Sequence, residues 1–162
     1  MHNMLDAHRL SEYIYGTITG LVAVAAIDAG SVVEWWKAVL VVVSGAVAIW
    51  LAHAYAMLVS RQITSGGQPS ARAFRQAVES SWPVVTAGLT LAAPMLGVPL
   101  GLYGLDRALL ISSGLGVLIL ALMGVAAGVA AHASRIQRIA LIVLSCGLGL
   151  LVVAVGLAVH NH

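Results

Sequence analysis

Residues 108–134 read ALLISSGLGVLILALMGVAAGVAAHAS, an unbroken stretch with no Asp, Glu, Lys or Arg. A hydrocarbon core of ~30 Å takes about 20 helical residues at 1.5 Å each. This stretch exceeds that length and is apolar on every side, a pattern that suits a helix surrounded by lipid. Working outward, the same criterion marks residues 13–27, 38–60, 80–105 and 139–162. Glu12 and Asp28, at the borders of the first run, can reach the two interfaces, which extends that span to 11–28. The sequence therefore predicts an all-α membrane protein with five transmembrane helices, at about 11–28, 37–60, 81–103, 107–133 and 138–160. They form a single transmembrane domain over residues 1–162. The first helix is expected to be retained, although the small residues after its apolar stretch resemble a signal-peptide border.

Composition points the same way. Of 162 residues, 60% are apolar and 9% charged, with a mean hydropathy of +0.99. An ordinary soluble domain is about 25% charged, so this chain has too few charges to cover a surface in water. That excludes a water-soluble globular enzyme, a disordered chain and a nucleic-acid binder. Eight Lys+Arg against six Asp+Glu are too sparse for a phosphate-binding face. The single Cys146 precludes a disulfide framework or a cysteine metal cluster within one chain. The lipid bilayer is the partner that composition names, and no soluble partner is specified.

Basic residues set the expected orientation. Arg9 precedes the first span, Arg61, Arg72 and Arg75 lie between the second and third, and Arg135 and Arg138 lie between the fourth and fifth. Lys37 and Arg107 fall on the other side. The positive-inside rule places the N-terminus in the cytoplasm and His160-Asn161-His162 outside, with a bacterial plasma membrane as the expected location. Trp35 and Trp36 suit the outer interface and Trp82 the inner one. The longest connection carries the loop signature Ser65-Gly66-Gly67-Gln68-Pro69. After it, Ser70 can N-cap a short helix over 70–79, with Ala71, Phe74 and Val78 on one face and Arg72, Arg75 and Glu79 on the other. That pattern fits an amphipathic helix on the cytoplasmic surface.

Polar residues inside apolar spans are the candidates for chemistry. In the first helix, Glu12, Gly16, Thr19, Gly20, Ala23 and Ile27 recur at three- or four-residue steps and share a face. Gly16-Thr17-Ile18-Thr19-Gly20 is a GxxxG, which permits close helix approach; Gly16 and Gly20 are therefore the expected homodimer interface. The plainer alternative is packing within one chain. His53 is the one ionisable side chain well inside a span, about 12 Å from Arg61 along the helix. A group so placed is a candidate functional site. With Met57 one turn on and Ser60 a further turn, it can offer a transient site to a soft or borderline divalent ion, or it can relay protons. The plainer alternative is a neutral imidazole bonded to Thr19 or Tyr55. His132 sits at a helix end, where an interface residue is expected. Pro83 suits a helix start, whereas Pro94 and Pro99 should bend or break the outer half of the third span. Gly124-Val125-Ala126-Ala127-Gly128 and Ser145 with Gly149 are small-residue packing faces. No nucleophile, base and orienting group come together, so an enzyme is not expected.

Taken together, these features resemble the vacuolar iron transporter family. The carrying residues are Arg9-Leu10-Ser11-Glu12-Tyr13-Ile14-Tyr15-Gly16 followed by Gly20-Leu21-Val22, the ending Val59-Ser60-Arg61-Gln62, Gly88 with Pro94 and Pro99, and Gly124 through Arg138. The resemblance covers most of the chain as a pattern, without an unbroken signature. It implies a homodimer that exchanges protons for ferrous or manganese ions along a path between subunits lined by the first two helices. Thr19 stands where the family has Asp. The second-helix Glu falls at Ala54 or Tyr55, and its partner Met at Trp50 or Leu51. The cytoplasmic metal-collecting helices are missing.

The expected function is thus a transporter moving a small cation, Fe²⁺, Mn²⁺ or protons, along a polar seam. Glu12, Thr19, His53 and Tyr55 form the transport pathway, with His53 and Met57 as the metal ligands. No permanently bound cofactor is expected, the divalent cation being cargo. A dication needs anionic or many oxygen ligands, and one carboxylate per chain argues for weak metal binding. The alternative is a non-transporting scaffold or lipid- or partner-binding protein that keeps the fold without the metal site.

Overall fold

A computed structural model describes residues 2–27, 34–65, 71–131 and 134–160. Asp28, the loop residues Gly66 to Pro69, the expected cap Ser70, His132 and the terminal Asn161-His162 lie outside the described residues. The element order is α1 (His2–Ala25), α2 (Trp35–Ser65), α3 (Ala71–Ser80), α4 (Trp82–Ala92), a 3₁₀ segment (Ala93–Gly97), α5 (Leu105–Ala130) and α6 (Arg135–His160). Three of these contain stretches long and apolar enough to cross a membrane: Trp35–Ser60, Leu105–Ala130 and Arg135–Val155. The apolar part of α1, Leu10–Ala25, is shorter.

The expected third span, 81–103, is not one helix. Pro83 occupies the first turn of α4, where a missing N–H costs nothing. The α-helical ladder ends at Ala92 and tightens into the 3₁₀ segment that contains Pro94. There Val98 N–H donates to Met95 O at 3.2 Å, one residue short of the α-helical acceptor. The Tyr103 hydroxyl adds a bond from outside this ladder, donating to the Pro94 carbonyl at 2.8 Å. A Schellman closure follows: Leu102 N–H donates to Gly97 O at 3.1 Å and Gly101 N–H to Val98 O at 3.0 Å. Gly101 carries a φ of 72°, a left-handed conformation that favours glycine.

Glycine contacts give the helix directions. A Cβ on Gly16 would stand 2.7 Å from Val84 Cα, and one on Gly20 would stand 2.7 Å from Leu91 Cδ1, so α1 and α4 run parallel. Gly88 of α4 faces Ala46 of α2, while Trp50 of α2 meets Trp82 edge-on at 5.8 Å, so α2 runs antiparallel to α4. Gly124 lies against Ser145 and Gly128 against Arg138, which makes α5 and α6 an antiparallel pair. The central element is α1, which packs on α2, α4, α5 and α6. Its Leu21 and Val24 sit in a core with Val42, Leu91, Met95, Ala108 and Leu120. Other helices thus cover much of the apolar part of α1.

This topology gathers the end of α2, the start of α3, the end of α5, the start of α6 and the start of α1 at one end. At that end Trp50 Nε1–H donates to Val78 O at 3.2 Å, satisfying one of the last carbonyls of α3. On the exposed side of α3, Arg75 Nε donates to Glu79 Oε1 at 2.7 Å. That hydrogen bond, with the carboxylate charge, raises Arg75 above its usual value. At the opposite end Lys37 pairs with Glu34 at 3.6 Å and lies 5.5 Å from the centre of the Trp36 ring.

Candidate functional site

Glu12 and His53 arise from two antiparallel helices, one turn or more inside the end that carries the arginines. Their side chains meet: His53 Nε2 lies 2.8 Å from Glu12 Oε1. With the proton on nitrogen the imidazole donates to the carboxylate; with the proton on oxygen the carboxylic acid donates to the imidazole. Glu12 is only 4% exposed, where an isolated charge is strongly disfavoured. The His53 side chain is 33% exposed, so the imidazole connects a buried carboxylate with the outside of the bundle. Tyr15, three residues after Glu12 and on the same side of α1, places its ring 6.0 Å from the imidazole at a 37° tilt.

The other expected pathway residues are arranged differently. Thr19 turns its hydroxyl back onto its own helix, donating to Tyr15 O at 3.0 Å and Gly16 O at 3.1 Å. It therefore does not bond His53, and neither does Tyr55. Tyr55 is 69% exposed and lines a shallow depression on the outside of α2 with Ala56, Val59, Ser60 and Ile63. The reason is angular. Two residues along a helix turn the side chain by about 200°, so Tyr55 and His53 leave α2 in nearly opposite directions. Tyr55 therefore stands apart from the Glu12–His53 contact.

Gly16 and Gly20 also differ from expectation. Both are buried, and the space a side chain would fill is occupied by Val84 and Leu91 of the same chain. A GxxxG specifies that something approaches closely and leaves open which helix it is; here it is α4. The glycine face is therefore covered by α4 of the same chain.

Met57 is half-buried one turn from His53. Among the described residues, no three His, Cys, Asp or Glu side chains gather where they could hold a metal ion. His53 and Met57 supply two donors of different softness, and Glu12 is already hydrogen-bonded to the imidazole. Such a set can touch a cation in passing, but it falls well short of enclosing one.

One participant, Tyr15, was not singled out from sequence, although its i, i+3 spacing to Glu12 could have found it. Fold and site together define a class, an all-helical protein with apolar helices of membrane-crossing length and a buried carboxylate–imidazole pair between two of them. No family model, curated protein or solved structure matches the chain.

Proposed function

We propose that this chain is an integral membrane protein with five crossings that passes protons through the Glu12–His53 pair, with a cytoplasmic N-terminus. The observation that carries the reading is the 2.8 Å contact between a buried carboxylate and a partly open imidazole. Such a contact lets one proton occupy either partner, and histidine exchanges protons readily near neutral pH. Ionisable groups inside apolar spans are costly, and those that persist tend to mark proton or ion paths. In this reading α1 and the α4–3₁₀ segment supply the remaining two crossings. They are short, at about 24 Å for the 16 residues of Leu10–Ala25, and the surrounding helices shield them. Divalent-metal cargo is the weaker form of the proposal, since a closed ligand set would need donors from elsewhere. A second copy, where present, would have to meet this one through a face other than Gly16 and Gly20.

The burial of Glu12 and the back-bonded Thr19 favour a second reading, in which the pair is a static clip between α1 and α2 of a non-transporting scaffold. Flux separates the two. Purified protein in liposomes containing a pH-sensitive dye should acidify the lumen under a pH gradient with valinomycin present, well above empty liposomes. His53→Gln should reduce that rate at least about tenfold, the range of a lost proton-transfer group. Acidification no faster than in empty liposomes would leave the clip as the function of the pair.

A further inference from the structure

The proton pair makes no use of α3, although this helix is the most sharply two-sided element of the chain. Arg72, Arg75 and Glu79 occupy one side, and Phe74, Ala77 and Val78 the other. Ala77 is fully buried against its neighbours, and the Val78 carbonyl accepts the Trp50 indole. Phe74 belongs to the same apolar side and yet is 57% exposed. Immediately beyond the helix, Trp82 is 50% exposed, with its edge geometry to Trp50 leaving much of the ring uncovered. Two large apolar side chains thus stand open beside the exposed Arg72 and Arg75. Among the described residues, nothing covers them.

Charge across the molecule is lopsided in the same sense. The end bearing α3 holds six arginines, Arg9, Arg61, Arg72, Arg75, Arg135 and Arg138, against Asp6, Glu12 and Glu79. Of these acids, Glu12 is buried on His53 and Glu79 is bonded to Arg75. Among the described residues, the opposite end holds Lys37 and Arg107 against Glu34 and Asp106. An apolar side flanked by cations is the arrangement by which a surface helix settles at the boundary of headgroups and acyl chains. Anionic lipids attract such a segment, and the attraction fades within a Debye length.

We infer that α3 is an interfacial helix that selects anionic phospholipid from the leaflet around it, with Phe74 and Trp82 entering the acyl boundary and Arg72 and Arg75 engaging headgroup phosphates. The inference rests on membrane embedding and is independent of proton movement. It identifies the uncovered face of α3 as a lipid-binding surface, whose occupant is the bilayer itself.

The test uses the whole chain extracted in mild detergent from vesicles of equal parts phosphatidylglycerol and phosphatidylcholine, with mass spectrometry of the lipids that stay bound. Wild type and Arg107→Gln, a charge removed from the opposite end, should retain phosphatidylglycerol over phosphatidylcholine at least about threefold. Arg72→Gln with Arg75→Gln should bring that ratio close to one. The single Arg72→Gln, which leaves the Arg75–Glu79 bond in place, should fall between. High salt should lower the wild-type preference, because the attraction is between exposed charges. Equal retention of both lipids by wild type, or an unchanged preference in the double variant, overturns the inference. Loss of the preference in Arg107→Gln would likewise show that total charge, and not α3, selects the lipid.

Discussion

A carboxylate that is almost wholly out of solvent needs a partner or a proton, and Glu12 has the imidazole of His53 at 2.8 Å. Both residues stand out in the sequence as polar side chains in apolar helices, so their membership of one site was legible. Their direct contact was not, since it depends on the relative rotation of α1 and α2. Tyr55 shows how that rotation decides: two residues from His53, it leaves the helix on the other side. Gly16 shows a different limit, because small-residue spacing records close approach without naming the approaching helix. A methyl on Gly16 would lie 2.7 Å from Val84 Cα, a backbone atom that cannot swing away. Gly16→Ala should therefore destabilise the folded chain by about 1–3 kcal/mol, the usual cost of overpacking. Thermal unfolding in detergent measures it, alongside size-exclusion profiles that should keep the wild-type association state. A Gly16→Ala protein that unfolds like wild type but changes its association would return these glycines to a subunit seam.

Among the elements, the segment after α4 shows most clearly how sequence dictates shape. Pro94 and Pro99 signal a break, and the α-helix does end at Ala92. The prolines do not tell how the freed backbone groups are satisfied. Here the tightened 3₁₀ ladder, the Schellman closure at Gly101 and the Tyr103 hydroxyl on Pro94 O do so together. Tyr103→Phe should lower stability by about 1 kcal/mol, the net value of a typical buried hydrogen bond, read as a lower unfolding midpoint at unchanged helix content. No shift in the midpoint would mean that the Pro94 carbonyl finds another donor. The amphipathic α3 was legible nearly to the residue, from 70–79 expected to Ala71–Ser80 found. Its polar and apolar residues alternate with helical period, and no long-range contact is needed to see that.

Across the whole molecule, the charge-free runs located the long apolar helices, because length and hydropathy are local quantities. The three helices of clear membrane-crossing length, Trp35–Ser60, Leu105–Ala130 and Arg135–Val155, fall where those runs lie. The central place of α1 was not legible, since it is set by the contacts of four other helices. That placement puts Glu12 between the arginine-rich end and the apolar core, with His53 as its link to the outside. Proton passage should then depend on the two residues as one unit, and groups that act as a unit give non-additive losses. The most direct measurement is a double-mutant comparison of proton flux in liposomes for wild type, Glu12→Gln, His53→Gln and the two combined. The account predicts that each single change lowers flux at least about tenfold and that the double variant is no slower than the worse single one. Wild-type flux retained in either single variant, or losses that multiply in the double, would contradict a shared proton site.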